Sequence, residues 1–273
     1  MMNRKLSSLL CIALLSMLLW GCGKVAITGR KQMILFGSGQ ITSLSEQSFQ
    51  QVMETSQPSQ NKTYTHMVEE VGQRMVAAVD AYMRGQGYGK QMDEYQWGFH
   101  LVSSPEVNAF CLPHGKIVFY DGIMGLTNTP DKVAVVMGHE IAHAIARHGN
   151  ERMSQQATAS VFETAAQVVG VVIPQDTKTQ MLFSVAFGLG SALGTYGVLL
   201  PYSRTHEYEA DRLGLIIMAM AGYDIQQAPL FWEAMQKQGG NKPPEFLSTH
   251  PSDANRVAKI REVLSEAETY RPK

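Results

Sequence analysis

The chain has 273 residues, of which 45% are hydrophobic and 17% are charged, and its formal net charge is −1. This composition is typical of a folded domain with a real core and excludes a chain that is disordered throughout. The charge balance argues against nucleic acid as a partner, because no basic excess is present, and no acidic tail suggests a cationic partner.

The N-terminal segment has the pattern of an export signal. Arg4 and Lys5 give it a positive start, and residues 9–20 are apolar apart from Ser16. This run is shorter than the ~20 residues that a stable transmembrane helix needs. We therefore predict that residues 1–21 are a signal peptide.

The end of this segment, Leu19-Trp20-Gly21-Cys22, resembles the bacterial lipobox, although Trp20 is bulkier than is usual there. The resemblance implies cleavage before Cys22 and acylation of its thiol and new amino terminus, and several acyl chains anchor a protein stably. Gly23 stands where lipoproteins of the inner membrane typically carry Asp. The expected location is therefore the outer membrane, facing the periplasm. The alternative is an uncleaved signal anchor with an ordinary cysteine.

Cysteine usage predicts no disulfide in the body of the protein. Cys11 and Cys22 belong to the N-terminal segment, so Cys111 is alone in the remainder. One cysteine cannot form an internal disulfide. We expect Cys111 to be a small buried hydrophobe and not a nucleophile.

The first half of the body is predicted to contain helices and a few strands. The polar residues 24–60 suit a tether that leads to a helix near 45–55, and apolar residues recur at helical spacing over 65–82. Strands are predicted at 97–102 and 116–120, with residues 108–115 as an extended edge between them. We predict an anchored N-terminal tether and helix over 22–60 and one further domain over 61–273.

The second half is predicted to be helical. Thr129 and Pro130 are the N-cap and first residue of a helix that should end at Gly149. Residues 179–203 carry no charge, but their glycines favour a buried or membrane-skimming helix over a membrane span. Further helices are predicted over 202–220, 231–238 and 254–269.

The strongest chemical signal is the run His139-Glu140-Ile141-Ala142-His143. Residues four apart share one face of a helix, so the two imidazoles can bind one metal ion. Glu140 is one residue further along and can act as a general base on water without being a ligand. The alternative is a solvated helix face that matches the pattern by chance.

A catalytic zinc site needs three protein ligands and a water. Glu207 and Asp211 are four apart on a predicted helix. We predict that Glu207 is the third ligand and that Asp211 accepts a hydrogen bond from the far nitrogen of a ligand histidine. Glu209 points to a different face and is expected to be structural. His206 and His148 remain competing ligands.

Together these motifs resemble the HtpX and CAAX prenyl endopeptidase family of gluzincin metallopeptidases. Three other segments support the resemblance: Asn108-Ala109-Phe110 with Gly115-Lys116-Ile117, His250-Pro251 with Arg256, and Val25-Ala26-Ile27-Thr28-Gly29-Arg30. The last segment resembles the branch that contains the mitochondrial inner-membrane stress protease and many bacterial lipoproteins.

The resemblance implies an α+β, mainly helical, zincin-like domain with a small sheet or hairpin beside the active-site helix. It implies one Zn²⁺ per chain, held by His139, His143 and Glu207, with Glu140 as the catalytic base. The edge at Asn108, Ala109 and Phe110 is expected to bind substrate as an added strand. His250 is expected either to stabilise the oxyanion or to plug the zinc site, or it is a plain loop residue. His114 departs from the family pattern; it could touch substrate or metal, and we expect a solvated loop residue.

The expected function is zinc-dependent hydrolysis of peptide bonds in misfolded or damaged envelope proteins, as quality control. Its partners are then unfolded envelope proteins, the membrane through the lipid anchor, and a possible envelope assembly machinery. The first alternative is a lipoprotein chaperone or assembly factor with a structural zinc, closed by His250 or His114. A zinc hydrolase that acts on cell-wall peptide or small amides is a second alternative.

Overall fold

The structure is a computed structural model that describes residues 22–166, 202–238, 244–252 and 254–272. Over these residues it is mainly helical with two small sheets, as predicted. The predicted signal peptide and most of the apolar stretch 179–203 lie outside the described residues. Every helix that the structure describes is too short or too polar to cross a lipid bilayer.

The N-terminal segment forms a hairpin where the sequence predicted a polar tether. Strands β1 (Cys22–Lys24) and β2 (Lys31–Met33) pair antiparallel. The turn between them carries Val25 and Ala26 into the main hydrophobic core. The segment packs on the domain because burying these two side chains removes apolar surface from water.

Between residue 22 and the main sheet the structure describes three helices: α1 (Ser38–Thr55), α2 (Lys62–Gly85) and the short α3 (Gly89–Met92). The helix α2 confirms the predicted 3.6-residue pattern, since its inward face is buried. The buried residues of this face are Val68, Val71, Gly72, Met75, Val79 and Met83. Helix α1 is longer at its N-terminus than the predicted helix.

The main sheet has three strands in the order β3-β5-β4: β3 (Gly98–Val102), β5 (Lys116–Tyr120) and β4 (Ala109–Leu112). Strand β3 runs parallel to β5 and β4 runs antiparallel to it. Backbone bonds from residues 57–59 cover the outer edge of β3. Among the described residues no strand pairs with the outer edge of β4, as the sequence predicted.

A short 3₁₀ turn (Asp121–Gly125) leads to α4 (Pro130–Ile145), whose N-cap Thr129 accepts a bond from the amide of Lys132. The predicted helix end at Gly149 is wrong. The helix stops at Ile145 because Arg147 adopts a left-handed conformation with φ 56°, which a helix does not accommodate. A second helix, α5 (His148–Ala166), then starts in a new direction.

After residue 201 the described part of the chain contains four helices: α6 (Arg204–Met220), α7 (Gln227–Gln238), α8 (Glu245–Thr249) and α9 (Arg256–Glu268). Helices α4 and α6 pack against each other and form the centre of the molecule. Cys111 is buried in the same core, as predicted for a small hydrophobe.

Candidate metal centre

Four buried side chains from three segments converge on one point. They are His139, His143, Glu207 and His250, and one ligand atom of each lies within 4.8 Å of the others. His139 Nε2 is 3.1 Å from His143 Nε2 and 3.1 Å from His250 Nδ1. Glu207 Oε1 lies 3.4 Å from His143 Nε2 and 3.2 Å from His250 Nδ1. The structure therefore places two of the predicted ligands from α4 beside the predicted ligand from α6.

A glycine contact brings the two helices this close. A Cβ atom on Gly214 would lie 2.9 Å from the backbone nitrogen of His139, and one on Gly138 would lie 2.8 Å from the carbonyl oxygen of Gly214. The backbones of α4 and α6 touch here because neither position carries a side chain. Glu207, Asp211 and Gly214 share one face of α6, so the same contact that joins the helices directs both carboxylates at His139.

Asp211 lies behind His139, on the side away from the ligand cluster. Asp211 Oδ1 lies 3.0 Å from His139 Nδ1, so Nδ1–H donates to the carboxylate and Nε2 faces the cluster. Burial alone would lower the pKa of His139, but hydrogen bonds to Asp211 and Glu207 outweigh it and raise the pKa to about 9. The imidazole thus sits in a site built to stabilise a positive charge at this position.

Arg256 contacts the two carboxylates at the cluster, Asp211 and Glu207. The sequence did not predict it as a site residue. Its guanidinium is fully buried, contacts both oxygens of Asp211 at 2.8 Å, and lies 3.0 Å from Glu207 Oε2. It stacks 3.4 Å from the ring centroid of Trp232. The sequence singled out Arg256 only as part of a motif with His250, whose carbonyl it also contacts at 3.3 Å.

His143 is oriented by a histidine and not by a carboxylate. Its Nδ1 lies 3.1 Å from Nδ1 of His148, whose Nε2 is 2.9 Å from Glu209 Oε2. Burial lowers the pKa of His143 well below its usual value and that of His148 to about 4. His148 therefore lies behind His143, on the side away from the cluster, and not among the ligand atoms.

The donor set fits a metal ion of the zinc type. With Nδ1 of His139 bound to Asp211, its Nε2 faces the Nε2 of His143 at 3.1 Å. A metal ion between them would take the place of the proton that the raised pKa of His139 otherwise favours there. Imidazole nitrogens and a carboxylate oxygen are the ligands that zinc takes in proteins. His139, His143 and Glu207 would hold such an ion, with His250 in the remaining direction.

Glu140 lies beside the cluster and is not part of it. Its Oε1 is 3.5 Å from His250 Nε2 and has no hydrogen-bond partner among the described residues. Burial raises the pKa of this carboxyl. Burying a carboxylate oxygen without a hydrogen-bond partner costs free energy. Its presence here therefore indicates a group that binds a polar ligand.

A cleft joins Glu140 and His250 to the outer edge of β4. Its lining includes Asn108, Phe110, Tyr202 and Arg152. Ala109 is buried, and Asn108 Oδ1 accepts the amide of Ala109 at 2.9 Å. The outer edge of β4, with which no described strand pairs, therefore lies beside the same cleft as Glu140 and His250.

Two histidines that the sequence considered as possible ligands lie elsewhere. His114 is buried and not solvated: its Nδ1 lies 2.6 Å from the carbonyl of Glu94 and its Nε2 lies 2.8 Å from Thr42 Oγ1. His206 Nε2 faces Glu151 at 3.0 Å. Neither belongs to the ligand cluster.

Glu209 also lies outside the cluster, as expected, but it is buried and binds His148 and Arg30. Tyr202 was missed altogether, although its ring lies 4.1 Å from that of His143. No local pattern marks Tyr202, because it meets the site only through the packing of its segment against Thr249.

Sequence comparisons agree with this geometry. The family model described as Peptidase family M48 matches residues 63–264. The chain is 37% identical over 184 residues to the mitochondrial metalloendopeptidase OMA1 of Schizosaccharomyces pombe. The matched region covers 66% of this chain and 50% of that protein. The chain is 31% identical over 252 residues to the human metalloendopeptidase OMA1, with 88% of this chain and 45% of the relative covered.

A bacterial relative matches over a shorter range. The beta-barrel assembly-enhancing protease of Escherichia coli is 27% identical over 165 residues, which are 60% of this chain and 33% of that protein. The chain thus spans about half the length of the mitochondrial relatives and a third of this bacterial one.

Proposed function

Because the chain belongs to peptidase family M48, we propose that it is a zinc-dependent endopeptidase anchored to a membrane by a lipid on Cys22. The observation that carries the proposal is the convergence of His139, His143 and Glu207 beside the partnerless carboxylate oxygen of Glu140. A purely structural cluster gives no reason for a buried carboxylate oxygen without a hydrogen-bond partner beside a strand edge with which no described strand pairs.

The metal is zinc, one ion per chain, with His139, His143 and Glu207 as its ligands. When bound, it would supply a Lewis acid that polarises the scissile carbonyl and makes water more acidic. Asp211 and His148 hold the two imidazoles by their far nitrogens, so that both ligand nitrogens stay directed at one point.

Glu140 is the general base and later the general acid. Its Oε1 accepts the proton of the attacking water, and the same oxygen returns the proton to the leaving amine. The raised pKa of Glu140 supports this role, because a carboxyl that is easily reprotonated can also act as an acid.

The substrate binds along β4 as an added strand. The edge at Asn108, Ala109 and Phe110 offers backbone groups that recognise an extended peptide by its main chain more than by its sequence. Such recognition favours unfolded chains, since a folded protein does not present a free strand of this kind. We therefore propose misfolded or damaged envelope proteins as substrates.

His250 has two candidate roles in this reaction. It can stabilise the developing oxyanion, or it can close the metal site as a fourth ligand. The 3.1 Å separation of its Nδ1 from His139 Nε2 supports the second role. An enzyme in this state is latent until His250 moves away.

The short distance between His250 and His139 also favours a second candidate function. Four protein ligands are typical of a structural zinc site, and such a site would suit a lipoprotein chaperone or assembly factor. The two functions differ in one measurable way, because only the peptidase hydrolyses a protein substrate.

The finer family placement and the location belong to the same proposal. The motif pair supports the HtpX and CAAX prenyl endopeptidase group, and residues 25–30 support its lipoprotein branch. Acylation of Cys22 would anchor the protein to the outer membrane facing the periplasm, where an envelope assembly machinery is a possible partner. A Cys22→Ser variant should lose incorporation of labelled palmitate and leave the membrane fraction.

The deciding experiment compares the full chain in detergent with its Glu140→Gln and Glu207→Ala variants. The wild type should contain one zinc ion and cleave casein in a manner that a chelator abolishes. Glu140→Gln should keep the zinc and lose cleavage, whereas Glu207→Ala should lose both. Bound zinc without any cleavage by the wild type or by a His250→Ala variant would instead support the structural site.

A further inference from the structure

A chain of hydrogen bonds leads away from His143 on the side opposite the ligand cluster. The Nδ1 of His143 lies 3.1 Å from Nδ1 of His148, and the Nε2 of His148 lies 2.9 Å from Glu209 Oε2. His148 is fully buried and the Glu209 side chain is 7% exposed. Both ring nitrogens of His148 are thus engaged, one with a candidate ligand and one with a carboxylate.

The chemistry of these groups decides which ring nitrogen of each histidine carries a proton. A carboxylate only accepts, so the Nε2–H of His148 donates to Glu209. A neutral His148 then has a lone pair on Nδ1, and His143 must donate its Nδ1–H to it. That tautomer leaves the lone pair of His143 on Nε2, the atom that faces the cluster. Protons on both Nδ1 atoms would place two N–H groups against each other at 3.1 Å.

The end of this chain is held by the N-terminal hairpin. Thr28 Oγ1 donates to Glu209 Oε1, and Arg30 Nε donates to Glu209 Oε2 at 2.7 Å. The two remaining nitrogens of Arg30 contact Glu151 at 2.9 and 2.6 Å. Bidentate contacts of this kind fix the position of both charged groups.

The hairpin turn itself is fixed to the domain. Val25 and Ala26 are buried in the main core, and Gly29 has φ 70°, which returns the chain toward β2. Thr28 and Arg30 are therefore delivered to Glu209 by a segment that is part of the packed structure.

We propose that His148 is a positioning residue for the metal site, and that Glu209, Thr28 and Arg30 complete a hydrogen-bond chain that holds His143 with its Nε2 lone pair on the metal side. The inference rests on the proposed function, in which His143 is a metal ligand. It gives His143 the same support that Asp211 gives His139, but extends that support to a segment more than one hundred residues away along the chain. The N-terminal hairpin is then part of the metal site.

The test measures zinc affinity of the full chain by competition with a chelator. His148→Phe keeps a ring in the buried space and removes both hydrogen bonds, and we expect zinc to bind about 10–100-fold more weakly. Arg30→Gln acts one step further away and should weaken zinc binding several-fold. The matched control is Glu266→Gln, which removes an ion pair with Arg212 at 2.6 Å that has no link to a ligand histidine. Its zinc affinity should equal that of the wild type.

A second measurement shows directly which ring nitrogen of His143 carries the proton. In the metal-free protein, long-range ¹H–¹⁵N correlation spectra should show His143 with its proton on Nδ1. The same resonance should shift toward the Nε2–H form in His148→Phe. A variant that only loosens the fold would change stability without this change of tautomer. If His148→Phe does not fold, Arg30→Gln provides the test, because the Arg30 side chain is 25% exposed and its replacement disturbs the core less.

Failure of this inference and failure of the proposed function give different results. If the wild type binds no zinc, the proposed function fails. If the wild type binds zinc but both variants bind it as the control does, or if His143 carries its proton on Nε2, the present inference is overturned and the proposed function stands.

Discussion

At the scale of single residues, the site is a set of imidazoles held by their far nitrogens. Asp211 holds His139 and His148 holds His143, so each ligand nitrogen has one available direction. Glu140 is not held in this way, and its Oε1 has no hydrogen-bond partner among the described residues. In the proposed mechanism, orientation of the ligands and catalysis therefore fall to different side chains.

The role of Glu140 is tested by Glu140→Gln. The amide keeps the size of the side chain but cannot take a proton from water. We expect zinc to stay bound and casein cleavage to fall by at least about 100-fold, the usual contribution of a general base. Zinc content by atomic absorption and cleavage rates on the same sample check this. Retained cleavage would remove Glu140 from the mechanism.

The role of His250 is tested by His250→Ala. If His250 closes the site, three ligands remain after its removal, and zinc-dependent casein cleavage should rise several-fold while zinc binds somewhat more weakly. A fall in cleavage at unchanged zinc content would assign His250 to oxyanion stabilisation instead. His114→Ala is a suitable control, because His114 is also buried but lies outside the cluster.

At the scale of elements, the close contact of α4 with α6 decides whether the ligands meet. Two helices with ordinary side chains at the contact pack 8–10 Å apart. Gly138, next to His139, and Gly214, about one turn from Asp211, permit the backbones to touch. The edge strand β4 then lies beside α4, which brings the open backbone groups to the same cleft.

Substitution of Gly214 by Ala tests this contact. The new Cβ would meet backbone atoms of α4 at 2.9 Å, so the helices must separate. We expect a loss of about 1–3 kcal/mol in the free energy of unfolding, and weaker zinc binding. Gly39→Ala in α1 is the matched control, because a Cβ there meets nothing within 4 Å. Equal zinc affinity in the two variants would contradict the prediction.

At the scale of the whole molecule, a network of buried and partly buried charged groups joins the hairpin to α5 and α6. Arg30 lies between Glu151 and Glu209, and His206 contacts Glu151 from the other side. Burial would raise the pKa of Glu151, but bonds to His206 and Arg30 lower it to about 2. This network makes the fold sensitive to acid.

The acid sensitivity is tested with Glu151→Gln. The pKa of Glu151 in the folded protein lies below its ordinary value of 4.5. The stabilisation is therefore complete above pH 4.5 and is lost as the pH falls toward 2, and it amounts to at most about 3 kcal/mol. The wild type should be the more stable protein at pH 7, and the difference should fall by about half at pH 3. Urea unfolding at both pH values measures it, and a difference that does not change with pH would contradict the assignment.

The sequence by itself determined the local structure and the candidate chemistry. Helices α2 and α4 follow from apolar spacing and from the cap at Thr129, and a HExxH run on a helix places two imidazoles on one face whatever surrounds it. These features depend on residues within one or two turns of each other, so a local pattern suffices to predict them.

Only the tertiary structure decided what surrounds the ligands. The burial of His114 and the contacts of Arg256 with Asp211 and of Arg30 with Glu209 all join segments that are distant along the chain. A periodic pattern shows which face of a helix is buried but not which buried polar groups meet there. The pairing of those groups is set by helix packing, which here depends on two glycines that carry no chemical signal of their own.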